Sequence, residues 1–206
     1  MHNNRFLRKL LTRRTPALIG AAMLLLLGIL VVPYLVSLTH SAQAAPSSDS
    51  LHPFTITSPD FQDGGPLPVS SEFGEGFGCH GQNIAPELDW RNVPSKTESF
   101  AMLMTDYDAP VAGGFHHWIV YNIPQTASEL DGTSPFSQGT NSFGLVGYDG
   151  PCPPPTGQLH HYVFTLYALN TSHIAGEALT YDQVINAISA NVLGATSIIG
   201  TFKRPL

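Results

Sequence analysis

Residues 17–38, ALIGAAMLLLLGILVVPYLVSL, run for 22 positions without a charge. A run of that length can cross the hydrocarbon core of a bilayer. It follows Arg5, Arg8, Lys9, Arg13 and Arg14, with no acid among the first 16 residues, a local charge of +5. Such a basic flank stays on the cytoplasmic side. After the run come Thr39-His40-Ser41 and then Ala42-Gln43-Ala44, the small-residue pattern of a signal-peptide cleavage site. Residues 1–44 therefore read in one of two ways. A signal peptide would be cut to leave a mature chain from Ala45, and an uncut segment would anchor the chain. Both put the rest of the protein outside the cytoplasm, either secreted or periplasmic or held at the cytoplasmic membrane. A buried core helix is the remaining way to hide such a run, and the basic flank and cleavage-like site speak against it.

Residues 45–53 (APSSDSLHP) form a polar linker. Residues 54–206 are then one domain of ordinary size, with no internal repeat. Beyond residue 16 only Arg91, Lys96, Lys203 and Arg204 are basic, against all fifteen acids, so this part carries a net charge of −11. A surface of that sign repels polyanions, which disfavours general nucleic-acid binding. Seventeen prolines and nineteen glycines exclude a helical bundle and predict many turns.

Strand signals recur between those turns. Phe54-Thr55-Ile56-Thr57 alternates. Phe100 to Thr105 is a continuous apolar run, as in a strand buried on both faces, and Asp106-Tyr107-Asp108-Ala109-Pro110 stops it. Trp118 to Ile123 and Tyr162 to Leu169 are rich in β-branched and aromatic residues. A helix over 181–193 is predicted by the capping box Thr180-Tyr181-Asp182-Gln183, by the apolar face Val184, Ile188 and Val192, and by a stop at Gly194. The domain reads as mainly antiparallel β with a late helix packed on it.

Histidine is the informative residue. Four of the histidines form adjacent pairs, His116-His117 and His160-His161. Neighbours on a strand point to opposite faces, so each pair sends one ring to each side. His160 shares a face with Tyr162, and Asp106 shares one with Asp108 if the backbone there is extended. Asp106, Asp108, His117, His160 and Tyr162 all stand at probable strand ends, which meet at one rim of a sheet. Carboxylates beside imidazoles favour the charged ring and orient it. Charged rings, a phenol and free loop amides can hold a phosphate-like anion.

At these residues the chain resembles the phosphatidylethanolamine-binding protein (PEBP) family, in the bacterial and archaeal branch called Raf-kinase-inhibitor-like. Asp106-Tyr107-Asp108-Ala109-Pro110 resembles the family's D-P-D-A-P. Gly150-Pro151-Cys152-Pro153-Pro154 followed by His160-His161-Tyr162 resembles G-x-[CG]-P-P with H-R-Y. Gly114-Phe115-His116-His117-Trp118 with Asn122-Ile123-Pro124 resembles the strand between them. Order and spacing agree from about Phe54 to Arg204. The resemblance implies a β-sandwich of a large and a smaller antiparallel sheet with peripheral helices. It implies a ligand-binding pocket at Asp106, Asp108, Pro110, His117, Gly150, Pro153, His160 and Tyr162. The expected function is non-enzymatic binding of a phosphate-bearing or similar small anionic ligand, such as a phospholipid head group, with no cofactor.

Two departures stand out. Tyr107 replaces the usual proline. His161 replaces the usual arginine, and a histidine is neither a permanent cation nor a fork-shaped donor. Cys79 and Cys152, the only cysteines, lie 73 residues apart in loops that the resemblance puts near the pocket. Outside the cytoplasm they can pair, and two buried thiols are the alternative. Other chemistries have less support. No H-E-x-x-H or paired C-x-x-C motif marks a metal site, and no G-x-S-x-G marks a serine hydrolase. The functional alternatives are an inhibitor that meets an extracytoplasmic protease or kinase through a protein surface, and a hydrolase using the His/Asp pocket.

Overall fold

The computed structural model describes residues 52–206. The leader or anchor read at 1–44 and most of the linker lie outside the described residues. Five strands form the large sheet, in the order β6-β4-β3-β7-β8, with every neighbouring pair antiparallel. They are β3 (Ser99–Asp106), β4 (Phe115–Pro124), β6 (Ser137–Gln138), β7 (His160–Leu169) and β8 (Val192–Phe202). The smaller antiparallel sheet, in the order β1-β2-β5, holds β1 (Thr55–Thr57), β2 (Leu88–Arg91) and β5 (Glu129–Leu130).

Strand β3 explains its own sequence. It lies at the centre of the large sheet, and all eight of its residues are buried. Its two faces serve two cores. Phe100, Met102 and Met104 pack between the sheets with Ile56, Leu88, Trp90, Trp118, Val120, Phe164 and Leu166. Ala101 and Leu103 pack on the opposite side with Ile119, Tyr121, Val184 and Ile188. A strand covered on both faces has no reason to alternate, so it reads as an unbroken apolar run.

The helix α1 (Tyr181–Ile188) provides that second cover. Its capping box forms as the sequence predicts, with the Gln183 amide donating to Thr180 Oγ1 and the Thr180 amide donating to Gln183 Oε1. Its length differs from the reading. The helix ends at Ile188, and residues 192–202 form β8, not a last helical turn and a tail. The i+4 spacing of Val192 from Ile188 is accidental. The segment VLGATSIIGTF is rich in β-branched residues, which favour a strand, and its glycines disfavour a helix. Pairing it along the whole of β7, from His160↔Phe202 to Leu169↔Val192, covers an edge that β7 would otherwise leave open.

A disulfide joins Cys79 to Cys152 across 73 residues of chain. It fastens the Gly-rich loop 74–83 to the Pro-rich loop 150–155. Among the described residues no helix is long and apolar enough to cross a membrane.

Two predictions follow from this packing. Phe164→Ala, in the inter-sheet core, loses about 3–5 kcal/mol in urea unfolding, whereas Thr180→Ala loses only about 1 kcal/mol. Equal losses would mean that the helix, not the sandwich, carries the fold. Replacing Cys79 and Cys152 together by Ser removes about 4 kcal/mol, the loop-closure entropy of so long a crosslinked segment. An unchanged unfolding midpoint would contradict that.

Candidate functional site

The end of β3 and the starts of β4 and β7 meet at one end of the large sheet. Asp106 pairs with Tyr162 in the ladder. By alternation Asp106 continues the face of Met102 and Met104, and His160 and Tyr162 continue the face of Phe164 and Leu166. All three side chains are therefore delivered to the same side by strand parity alone.

His117 reaches that side by a different device. Met104 pairs with Trp118 but Thr105 pairs with His116, so His117 is an extra residue in β4. Without this bulge, His117 would share the face of Ile119 and Tyr121, under α1. The bulge resets the parity. It brings the His117 ring to 5.2 Å from Tyr162, edge to face. His116 takes the α1 side instead, stacked on Tyr181 at 3.7 Å with Nδ1 3.0 Å from Thr105 Oγ1.

Each aspartate grips one of the adjacent histidines. Asp106 Oδ2 accepts from His160 Nδ1 at 2.8 Å, with both side chains 4% exposed. Asp106 Oδ1 accepts the amide of Asp108 at 2.9 Å, which turns the chain out of β3. The backbone at 107–110 is therefore not extended, and Asp106 and Asp108 do not share a face. Asp108 points to the rim, where Oδ2 accepts both the amide and Nδ1 of His161, each at 2.7 Å. These bonds from His161 hold the Asp108 carboxyl below its ordinary range. His161 thus keeps a link to the aspartate although it is not an arginine.

His117 departs from the expectation of a chargeable ring. Its Nδ1 lies 2.7 Å from the carbonyl oxygen of Asp149. A carbonyl only accepts, so Nδ1 carries the hydrogen. Burial pushes this histidine down to about 4, so at neutral pH it is uncharged and its Nε2 is a bare acceptor. Tyr162 is fully buried, and among the described residues its hydroxyl has no hydrogen-bond partner in bonding geometry, although the Asp106 carboxylate stands within reach of it. Burial, with the charge of Asp106 beside it, raises this phenol far above its ordinary value. It stays protonated and can donate.

These groups floor a cavity of about 560 Å³. Of the eight residues expected there, Asp106, Pro110, His117, Pro153, His160 and Tyr162 line it, and Asp108 and Gly150 do not. Asp108 is spent on His161. The amide of Gly150, expected as a free donor, is taken by Asn83 Oδ1 at 2.8 Å, and a side chain there would collide with the Ser71 carbonyl. Gly150 is needed for close packing behind the wall. Asn83 and Asn141 also hold the carboxylate of Asp149, which fixes the loop carrying the carbonyl that sets the His117 tautomer.

The rest of the wall escapes the sequence reading. Phe77, Phe115 and Phe143 line one side. Phe143 lies 4.7 Å from Phe115 and 5.7 Å from Phe77. Arg204, just past β8, donates from Nη1 to the carbonyls of Phe77 and Pro153 and from Nη2 to that of Gly78. It ties the two loops that the disulfide also ties. Its rarity is the one signal in the sequence, since the domain has only two arginines, Arg91 and Arg204.

The comparisons with known proteins agree with this architecture. The family model for phosphatidylethanolamine-binding protein matches residues 57–203. The UPF0098 protein YbcL of Escherichia coli is 36% identical over 186 residues, 85% of this chain and 97% of that protein. The "Putative lipoprotein LppC" of Mycobacterium tuberculosis is 38% identical over 174 residues, 83% of this chain and 82% of that one. The crystal structure of YbcL, described as a new member of the mammalian PEBP family, superposes with a TM-score of 0.69 and covers 73% of this chain and 98% of its own. The two-sheet sandwich, the matched span and these identities agree: the chain belongs to the phosphatidylethanolamine-binding protein family.

Proposed function

We propose that this protein is a non-enzymatic binding protein that holds a phosphate-bearing or similar small anionic ligand, outside the cytoplasm. The observation that carries the reading is the Tyr162 hydroxyl, which is buried and unpartnered on the floor of a cavity. An unmet buried donor costs about 1–3 kcal/mol. A ligand oxygen would meet it in bonding geometry, which no described residue does. The N–H groups of Arg204 not used by the loop carbonyls supply a positive charge at the mouth, and the aromatic wall suits an apolar substituent on the ligand.

Binding, not turnover, is supported by what the cavity offers as nucleophiles. Cys152 is in a disulfide. Ser142 accepts the amide of His116 through Oγ, and among the described residues no imidazole or carboxylate bonds that hydroxyl as a base would. The extracytoplasmic setting is supported by the disulfide, which persists in oxidising compartments, by the apolar run at 17–38, and by the lipoprotein name of one relative.

Titration calorimetry with phenyl phosphate tests this on the Tyr162→Phe variant. A hydrogen bond to a charged group is worth about 1.5–3 kcal/mol, so affinity falls about tenfold or more. Stability changes little, because among the described residues the hydroxyl has no partner in bonding geometry. Equal affinity in variant and parent, or no binding by the parent, would contradict the proposal.

A further inference from the structure

We propose that the Cys79–Cys152 disulfide is a thiol-exchange site and not only a fixed crosslink. A small thiol entering the cavity attacks the Cys152 sulfur. Opening of the bond releases the tip of the Gly-rich loop, and with it the Phe77 side of the cavity wall. This exchange is independent of which ligand the cavity takes.

The two sulfurs differ in access. Cys79 is fully buried, whereas Cys152 is partly exposed and lines the cavity beside Pro153 and Arg204. A disulfide is cleaved by a thiolate that reaches one of its sulfurs, so the reachable sulfur decides the course. An incoming thiol RSH attacks Cys152 as its thiolate. The S–S bond breaks, and Cys79 leaves with the electron pair and takes up the proton that RSH gave off. The products are a mixed disulfide, Cys152–S–S–R, and a free thiol at Cys79. A second RSH, again as its thiolate, attacks the outer sulfur of the mixed disulfide, forms RSSR and expels Cys152 as a thiolate. In sum, two thiols are oxidised to RSSR and the cystine is reduced to two cysteines. Arg204 is placed for the second step. Its Nη1 lies 3.7 Å from Cys152 Sγ, and a guanidinium at that place stabilises a departing thiolate.

The two loops that the bond joins are unequal. The 150–155 side is stiff, because Pro151, Pro153, Pro154 and Pro155 fix its backbone, and the Pro151 carbonyl accepts the amide of Phe73. The 74–83 side has four glycines and no proline. Backbone bonds close its base, from the Gly81 amide to the Phe73 carbonyl and from the Asn83 amide to the Glu72 carbonyl. Its tip makes a turn of its own between Gly76 and Cys79. Phe77 in that turn has φ of 52°, a conformation that a bulky side chain adopts at a cost. It is also 75% exposed, so burial offsets little of that cost. Among the described residues the tip is held to the wall by the disulfide, by Arg204 donating to the carbonyls of Phe77 and Gly78, and by the tilted contacts of Phe77 with Phe73 and Phe143. After reduction Arg204 faces a thiolate on the Pro-rich side and only neutral carbonyls on the other, so the Gly-rich tip is the side let go. The strands of both sheets pair without either loop, and the sandwich persists.

Peptide mapping on the full-length oxidised protein tests the first step. The native protein is exposed briefly to cysteamine, quenched with N-ethylmaleimide, digested and weighed by mass spectrometry. Cysteamine is found on Cys152 and the maleimide on Cys79. Cysteamine on Cys79, or a bond that opens only once urea is added, would overturn the exchange. Amide hydrogen exchange before and after reduction with dithiothreitol tests the release. In the reduced protein the amides of residues 75–80 exchange about tenfold faster or more, as a local opening requires, while those of β3 and β7 keep their protection. Unchanged exchange at 75–80 would overturn the release, because Arg204 and the Phe77 contacts would then suffice to hold the tip. Loss of protection throughout the domain would overturn it too, since the bond would then hold the whole fold and not one loop.

Discussion

One buried carboxylate organises the end of the sandwich. Asp106 ends the central strand with both oxygens occupied, one by the ring of His160 and one by the amide that begins the turn at Asp108. A buried carboxylate is tolerated only where such bonds replace the water it has lost. Satisfying it has structural consequences. The chain must turn out of β3 at once, β7 must begin at the level of His160, and the loop bearing Ala109 and Pro110 must fold over the opening. The cavity is the space left between that loop, the aromatic wall and the floor of strand ends.

The second constraint is parity. A sheet assigns residues to faces in steps of two, and three of the four floor residues obey that rule. His117 does not, and it reaches the floor only because β4 carries one residue more than β3 at that level. Bulges often sit beside functional sites, where they redirect a side chain without moving the strand. Here the same bulge brings the His117 ring against the carbonyl of Asp149, and so decides which nitrogen faces the cavity.

These two constraints also decide what the sequence makes legible. The union of Asp106, His160 and Tyr162 follows from apolar runs of the right period ending in polar residues, a purely local pattern. The central strand was legible for the same reason, because burial on both faces leaves an unbroken apolar string. The end of α1 was not, because an i+4 apolar coincidence at Val192 looks the same whether the chain continues as helix or turns into a strand. Only the need to cover β7 separates those outcomes, and that need is a property of the sheet. Arg204 and Phe143 were illegible for a related reason. Each acts on loops far away in sequence, and neither lies in a periodic segment. Gly150 shows the opposite failure, since its place in a motif suggested a ligand contact where the structure uses it for close packing. The neutrality of His117 likewise depends on burial, which no spacing of residues reveals.

The central claim is that the strand-end floor grips the charged group through Tyr162 and the imidazoles. A crystal structure of the protein with phenyl phosphate bound at pH 5 tests it most directly. The account predicts phosphate oxygens within hydrogen-bond distance of Tyr162 Oη and His117 Nε2, with the phenyl ring against Phe115 and Phe143. A phosphate seated elsewhere, with the Tyr162 hydroxyl still unpartnered, would contradict it.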